Sequence, residues 1–458
     1  MEKTKKGEIQ ISTVRDPQIP EFEKKVLQEF EKRRKKFTLH DTVKSDMRMS
    51  FSVKENHVKA IALNHCYIST IPDSITELKS LKELYLGDNI LTYLPEFIGE
   101  LPGLERLDVS YNKLKNVPEG ISKLKSLRRL DFNENKLPSL PESISKLNFL
   151  EELYLWSNNL TTLPQSIGNL KALRRLELGH NKLTNLPKSI GKLTSLRRLD
   201  LYENKLRSLP ESIGKLTSLK ILDLYENKLC SLPESIGKLK SLKTLHLNQN
   251  QLTTLPKTMG KLKSLEMLNL SGNKLNSLPE SIGELVLLKK LSLTDNRFNF
   301  LPESIGDLTS LENFDLRYNQ LTILPETINK LQSLQELDLS ENELKFFPEP
   351  FTNLKSLKRL DLSKNMVSTL PESISNLKSL ERLNLSYNPL STLPKSLIKL
   401  TKLETLKISG NQIETLPDFL NELTSLNTLY LKNNKVKSPQ EKKLIDLLRN
   451  KGVFIGFL

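Results

Sequence analysis

The chain has 458 residues and carries 69 Lys+Arg against 54 Asp+Glu, a net charge of +15. No uninterrupted apolar run reaches the roughly 18 residues of a membrane-spanning helix, and the start Met-Glu-Lys-Thr-Lys-Lys-Gly-Glu-Ile lacks the apolar stretch of a secretory leader. A membrane span and export by the general secretory route are therefore not expected. The basic excess per residue is highest at the two ends, with 14 basic and 10 acidic residues in 1–56 and 6 and 2 in 435–458. Such an excess serves solubility first, and attraction to an anionic partner is the sharper alternative.

Residues 1–19 are polar, run up to Pro17 and Pro20, and read as a flexible tail. Residues 20–57 read as an N-terminal helical cap. Within it the spacing of Phe22, Val26 and Phe30 predicts a helix from Glu21 to Phe37 with a narrow apolar stripe. Lys24, Lys25 and the run Lys32, Arg33, Arg34, Lys35 and Lys36 surround that stripe, mixed with Glu21, Glu23, Glu29 and Glu31. A solvated helix docked on the next element accounts for this mixture, with an anionic surface or nucleic acid as the functional alternative. Residues 47–57 read as extended and lead into a first strand.

From near Val58 to near Val436 one skeleton recurs, seen in Leu150–Ser166 as LxxLxLxxNxLxxLP. Asparagines stand every 23 residues from Asn89 to Asn434, and Cys66 occupies the step before them, which makes 17 repeats over 58–438. Prolines keep the same step from Pro72 to Pro417, six residues after each ladder position, and the periodicity breaks at Gln440. In Leu153-Tyr154-Leu155 the alternation is that of a strand, leucines inward and Tyr154 on the open face. Leu150, Leu160, Leu163, Ile167 and Leu170 complete the inner lining, which only neighbouring coils can cover. The ladder Asn turns the chain out of the strand, its amide satisfying backbone groups inside the bend. Cys66 does this less well, which suits a terminal coil. Pro164 fixes φ as the chain leaves the bend, and Gln165–Leu170 is too short for more than one or two helical turns.

Cys66 and Cys230 lie seven repeats apart, roughly 34 Å at ~4.8 Å per stacked strand, far beyond disulfide reach. Two reduced thiols fit a reducing compartment, so a cytoplasmic location is expected. Residues 439–458 read as a C-terminal cap: a helix over Gln440–Asn450, a stop at Asn450-Lys451-Gly452 and a short closing strand at Val453-Phe454-Ile455.

The repeat length and the consensus, with Asn or Cys at the ladder position, resemble the leucine-rich repeat family over about 380 residues. The LPxxIxxL half resembles its intracellular Ras-group members and the plain repeat proteins of prokaryotes, and Gly452-Val453-Phe454 is similar to a Gly-Val-aromatic motif of the plant Ras-group proteins. The resemblance implies an α/β solenoid, a right-handed horseshoe of about 17 coils. Its concave face would be a parallel β-sheet, its convex layer thin, of 3₁₀ or short helix and extended segments, and helical caps would close both ends. It also implies a protein partner, such as a small GTPase or a signalling complex.

No catalytic constellation is found. Each Gly-Lys pair, such as Gly191-Lys192, is followed by Leu and lacks the upstream glycine of a phosphate-binding loop, and neither HExxH nor CxxC occurs. His40, His57, His65, His180 and His246 are dispersed, and His65 beside Cys66 lacks a second ligand pair. No metal and no cofactor is expected. Asn159, Asn269 and Asn384 begin glycosylation sequons that arise from the repeat itself.

Variation concentrates on the strand face. Arginines recur six before the ladder Asn (Arg175, Arg198) and acids four before it (Asp200, Asp223), a pattern of exposed ion pairs that keeps a sheet soluble. Aromatics are the departure from that pattern. Trp156, Gly179, Tyr202 and Tyr225 occupy successive positions two before Asn, with Gly179 expected to leave a gap between Trp156 and Tyr202. Since Trp, Tyr and Arg dominate binding hot spots, the first candidate patch is Tyr154, Trp156, Arg175, Arg198, Tyr202, Tyr225 and His246. A second comprises Arg382, Tyr387, Lys407, Tyr430 and Lys432. The expected function is a non-enzymatic, monomeric protein–protein interaction scaffold that binds on its concave face. The alternatives are a binder of nucleic acid or an anionic surface through the basic ends, and an effector delivered to act on host proteins. The mixture of Arg with Asp and Glu on the face argues against nucleic acid.

Overall fold

The structure is a computed structural model and describes residues 19–31, 37–44, 46–435 and 439–456. The expected N-terminal tail, apart from Ile19, and the basic run 32–36 lie outside the described residues. Two compact units are formed, residues 1–228 and 229–458, and each is a stack of the same coil.

The coil begins with a strand of three residues, for example Glu152–Tyr154. Its central leucine points inward and pairs in parallel, in register, with its counterpart 23 residues on: Leu153 with Leu176 in the first unit, Leu337 with Leu360 in the second. Leu150, Leu153, Leu155, Leu160, Ile167 and Leu170 are wholly buried. Each such side chain contributes about 1.5–3 kcal/mol on leaving water, and the cover comes from neighbouring coils, because one coil has no interior of its own. Between the bend and the next strand each proline from Pro72 to Pro417 precedes a five-residue 3₁₀ turn, such as Gln165–Asn169. Pro164 sits at φ −64° there, the value its ring imposes. The thin outer layer expected from the short Pro-to-Leu segment is thus built of 3₁₀ turns throughout.

The bend is where the ladder asparagine acts. Asn204 Nδ2 donates to the carbonyls of Leu178 (2.9 Å), Leu201 (3.1 Å) and Tyr202 (3.1 Å), and its Oδ1 accepts the Leu183 amide (3.0 Å). Asn365 repeats the set on Leu339, Leu362, Ser363 and Leu344. These bonds hold the preceding residue in the left-handed region: His180 at φ 54°, Glu203 at 51° and Tyr387 at 58°. That conformation is unfavourable for a residue with a Cβ. At Cys66 the thiol, a shorter and weaker donor, donates to Asn64 O (3.2 Å).

The ends are closed by different elements. Helix α1 (Glu21–Glu31) packs beside a hairpin, Ser50–Lys54 with His57–Ala62, whose turn residues Glu55 and Asn56 hold φ 55° and 60°. The buried residues of α1 are Glu23, Val26, Leu27 and Phe30, whereas Phe22 is 44% exposed. Phe22 therefore falls outside the apolar stripe expected for it. The buried Glu23 carboxylate accepts the Val58 amide (2.8 Å) and bonds His57 Nδ1 (2.9 Å), a polar anchor invisible to apolar periodicity. Phe37 is not helical; it precedes the short strand Thr38–Leu39, and its amide donates to Glu31 Oε1 (2.9 Å). In the second unit α2 (Pro439–Asn450) ends with Gly452 at φ 84°, Val453 N bonding back to Leu448 O. Phe454–Gly456 then pairs with Thr428–Tyr430 and closes that edge of the sheet.

Candidate partner-binding face

The strand face is built from three rows, six, four and two residues before each ladder asparagine. In the first unit the outer rows neutralise each other. Arg175 Nε donates to Glu177 Oε1 (2.7 Å) and Arg198 Nε to Asp200 Oδ2 (2.6 Å), and like residues stack on like, Arg175 on Arg198 and Asp200 on Asp223. These are not all the exposed ion pairs expected, because Asp200 is 1% exposed and its Oδ1 has no hydrogen-bond partner. Burial pushes its carboxyl up in spite of the adjacent Arg198 guanidinium.

Tyr154 is corrected in the same way. It lies on this face as expected but is only 5% exposed. Its ring is covered by Arg129 (Cζ 4.4 Å from the centroid) and Arg175 (5.2 Å). Its hydroxyl donates to Glu152 Oε2 (2.8 Å), and burial followed by that carboxylate pushes it up to about 12. Tyr154 supports the face and offers little surface to a partner. Trp156 is half-buried, its ring 6.3 Å from His180, and its Nε1 is buried without a hydrogen-bond partner.

The gap expected over Gly179 is filled. A Cβ at Gly179 would lie 2.4 Å from Tyr202 Cζ, so the tyrosine ring rests directly on the glycine backbone. Burial pushes the Tyr202 hydroxyl up to about 12, with Glu177 adding to it. Gly179→Ala should displace that ring and cost about 1 kcal/mol. The emission of Trp156, the chain's one tryptophan, and the thermal midpoint read the change; both unaltered would mean the ring yields freely.

Of the first candidate patch, the first unit holds Tyr154, Trp156, Arg175, Arg198, Tyr202 and a half-buried Tyr225, while His246 is half-buried in the second unit, in the strand Thr244–His246. In the second patch Arg382, Lys407 and Lys432 are exposed, and Lys407 Nζ stands 5.3 Å from the Tyr430 ring centroid. Tyr430 meets Phe454 edge-on at 6.2 Å. Tyr387, in its left-handed bend position, belongs to the rim and not to the sheet face.

Three features escape a reading by rows of aromatics. Asp131, stacked between Asp108 and Tyr154, has its carboxyl pushed up to about 7, by burial first and then by Asp108. In the second unit the rows six and four before Asn, from Asn313 and Asp315 to Thr405 and Lys407, line a groove of about 450 Å³, beside a row two before Asn that is serine in four successive coils, Ser340, Ser363, Ser386 and Ser409. On the flank, Phe300, Ile323 and Phe346 are 58%, 67% and 71% exposed at a position where most coils carry Thr, Ser or Asn. The departure from the consensus is visible in the sequence at the fourth position after the ladder asparagine. Among the described residues no group of three or more His, Cys, Asp or Glu is placed to hold a metal ion, and no helix is long and apolar enough to cross a membrane.

A stack of identical coils with a pairing strand, an asparagine bend and a 3₁₀ return defines a parallel-sheet repeat solenoid. The chain belongs to the leucine-rich repeat family. It matches the family described as leucine-rich repeat region in overlapping stretches from 127–205 to 349–450, and a second leucine-rich repeat family at 56–114. No curated protein matches it. Among solved structures it is similar to a leucine-rich repeat protein of Leptospira interrogans, with 38% identity, a TM-score of 0.72, and coverage of 87% of this chain and 95% of that one. It is also similar to the ectodomain of the membrane receptor kinase GASSHO1/SCHENGEN3 of Arabidopsis thaliana in complex with Casparian strip integrity factor 2. There identity is 28%, the TM-score 0.62, and coverage 90% of this chain and 59% of that one. The ectodomain of the Arabidopsis receptor kinase HAESA in complex with an extended IDA peptide hormone gives 27%, 0.57, and 84% and 76%. Proteins of this family generally act as binding scaffolds for other proteins.

Proposed function

We propose that this chain is a non-enzymatic scaffold that binds a protein partner on its strand face, as a monomer in a signalling complex. The carrying observation is the division of labour within the coil. Leucines, ladder asparagine and proline are spent on the fold, while the three strand-face rows vary from coil to coil and, beyond the first coils, where Val43 and Met47 pack on Ala60, Ala62 and Tyr85, stay half-buried or exposed over most of their length among the described residues. Parallel sheets are ordinarily buried on both faces, so one left uncovered is surface kept for a partner. The bound partners of the two plant receptors, Casparian strip integrity factor 2 and a peptide hormone, are consistent with such use. We further place the protein in the cytoplasm, where a surface thiol such as Cys230 stays reduced.

Photo-crosslinking tests the reading. A crosslinking residue at Tyr202 or Asn384, on the strand face, should yield discrete protein adducts in extracts of the source cell; one at Lys215 or Glu372, on the 3₁₀ side, should not. Adducts equal from both sides, or none from the face, would overturn it. Trp156→Ala with Tyr202→Ala should weaken capture by a crosslinking residue at Tyr225, in the same row, about ten-fold or more.

A further inference from the structure

We propose that the groove of the second unit binds an extended protein segment bearing a basic and an acidic side chain about four residues apart. The segment would be held between Asp338/Asp361 and Arg382/Lys407. The inference rests on the strand face being the binding surface and adds the chemistry of what it binds.

The groove has two poles. At one, four carboxylates (Asp315, Glu336, Asp338, Asp361) face two guanidinium groups. Arg359 Nη1 is taken by Glu336 Oε1 (2.6 Å), and Arg317 binds Asp315 through Nε (3.0 Å) and Nη2 (2.7 Å), reaching Asp338 only at 3.5 Å. Asp361 is bonded by neutral donors alone, Ser363 Oγ (2.6 Å), Ser363 N (2.8 Å) and Asn384 Nδ2 (2.7 Å). Two negative charges are therefore left over. At the other pole Arg382 and Lys407 are exposed and pair with no carboxylate among the described residues. Lys432, one coil further, adds to the same sign.

The floor between the poles is low. Leu337, Leu360 and Leu383 form its base, and the row beside it carries only the small side chains Ser340, Ser363 and Ser386. An occupant thus lies across the strands and meets opposite charges at its two ends. Asp338 and Lys407 are three strands apart, ~14 Å at ~4.8 Å per strand, which an extended chain covers in about four residues. A small zwitterion is too short for both poles. A nucleic acid would lay phosphates on Asp338 and Asp361, so the charge pattern disfavours a polyanion.

The test uses the full chain and labelled dodecapeptides in fluorescence anisotropy. Two carry Lys and Glu separated by three small residues, in either chain direction; a control of equal composition has them adjacent. One spaced peptide should bind about ten-fold tighter than the control, the worth of two ion pairs. Arg382→Glu with Lys407→Glu should erase that preference and favour instead a peptide with Lys at both positions. Circular dichroism confirms that the variant is folded, as expected for two exposed side chains. Equal binding of spaced and adjacent peptides, no binding, unchanged preference in the variant, or a single-stranded oligonucleotide binding the groove in the peptide's place would each overturn the proposal. If the peptides fail while crosslinks still form from the strand face, the partner chemistry is wrong and the scaffold reading stands; if both fail, both fall.

Discussion

Asn204→Leu should destabilise the chain by about 3 kcal/mol or more, the largest loss expected from any single ladder substitution of similar volume. The side chain is buried and makes four hydrogen bonds to backbone groups of its own coil and the one before. Leucine keeps the bulk and removes every bond. The buried Leu183 amide then has no acceptor, while the carbonyls of Leu178 and Leu201 each fall from two donors to one, keeping Asn181 Nδ2 (3.0 Å) and Asn227 Nδ2 (2.9 Å). Each buried group left unmet costs about 1–3 kcal/mol. The Glu203 backbone at φ 51° also loses what held it there. Asn204→Cys should fall between, because a thiol such as that of Cys66, which donates to Asn64 O (3.2 Å), is a weaker donor than the asparagine amide. Lys205→Leu, on an exposed neighbour, should change stability by no more than about 0.5 kcal/mol. Urea midpoints give the ranking, and hydrogen exchange at the Leu183 amide locates the damage. Equal midpoints for Asn204→Leu and Lys205→Leu would remove the asparagine bend as a source of stability.

The second large effect is one of pH. The buried Asp131 carboxyl holds its proton up to about 7, against a reference value of 3.8. Between those values the folded state binds the proton and the unfolded state does not, so stability falls as pH rises through that window. Ionisation of this one group costs the folded chain up to about 4 kcal/mol above pH 7. Asp131→Asn keeps the acceptor for the Asn133 amide (3.0 Å) and removes the charge that burial and Asp108 oppose. It should therefore be more stable than the parent by about 2–4 kcal/mol at pH 8, with the gain gone by pH 4. Denaturation at the two pH values decides it; a variant no more stable than the parent at pH 8 would sink the argument. The consequence reaches the face itself, since Asp131 stacks directly on Tyr154 and lies beside Arg129, the cation over that ring.

The candidate site was legible only as a set of rows. Trp156, Tyr202, Arg382 and Lys407 stand out from the repeat in the sequence, and they lie on the face assigned to them. What happens between rows was not legible, because it depends on side chains from different coils competing for the same space. Tyr154 sinks between two arginines from the coils on either side, Arg129 and Arg175, and Tyr202 folds down because position 179 is glycine. The exposure of the flank residues Phe300, Ile323 and Phe346 does not follow from composition, in which an exposed apolar residue and a buried one look alike.

The sequence by itself determined the coil. A period of 23, with leucine, asparagine and proline at constant offsets, leaves one way to bury the leucines and satisfy the bend, because each coil must repeat its neighbour's register. Even the helix α2 and its glycine stop follow from local pattern. Tertiary structure alone decided which face residues a partner can touch, which carboxylates are deprived of water, and that the two outward rows of five successive coils line a groove with opposite charges at its ends. The physical reason is the range of the forces. Backbone bonding and apolar periodicity act within a coil or between neighbours in fixed register. Burial and charge on the open face sum over several coils, and no single stretch of the chain contains that sum.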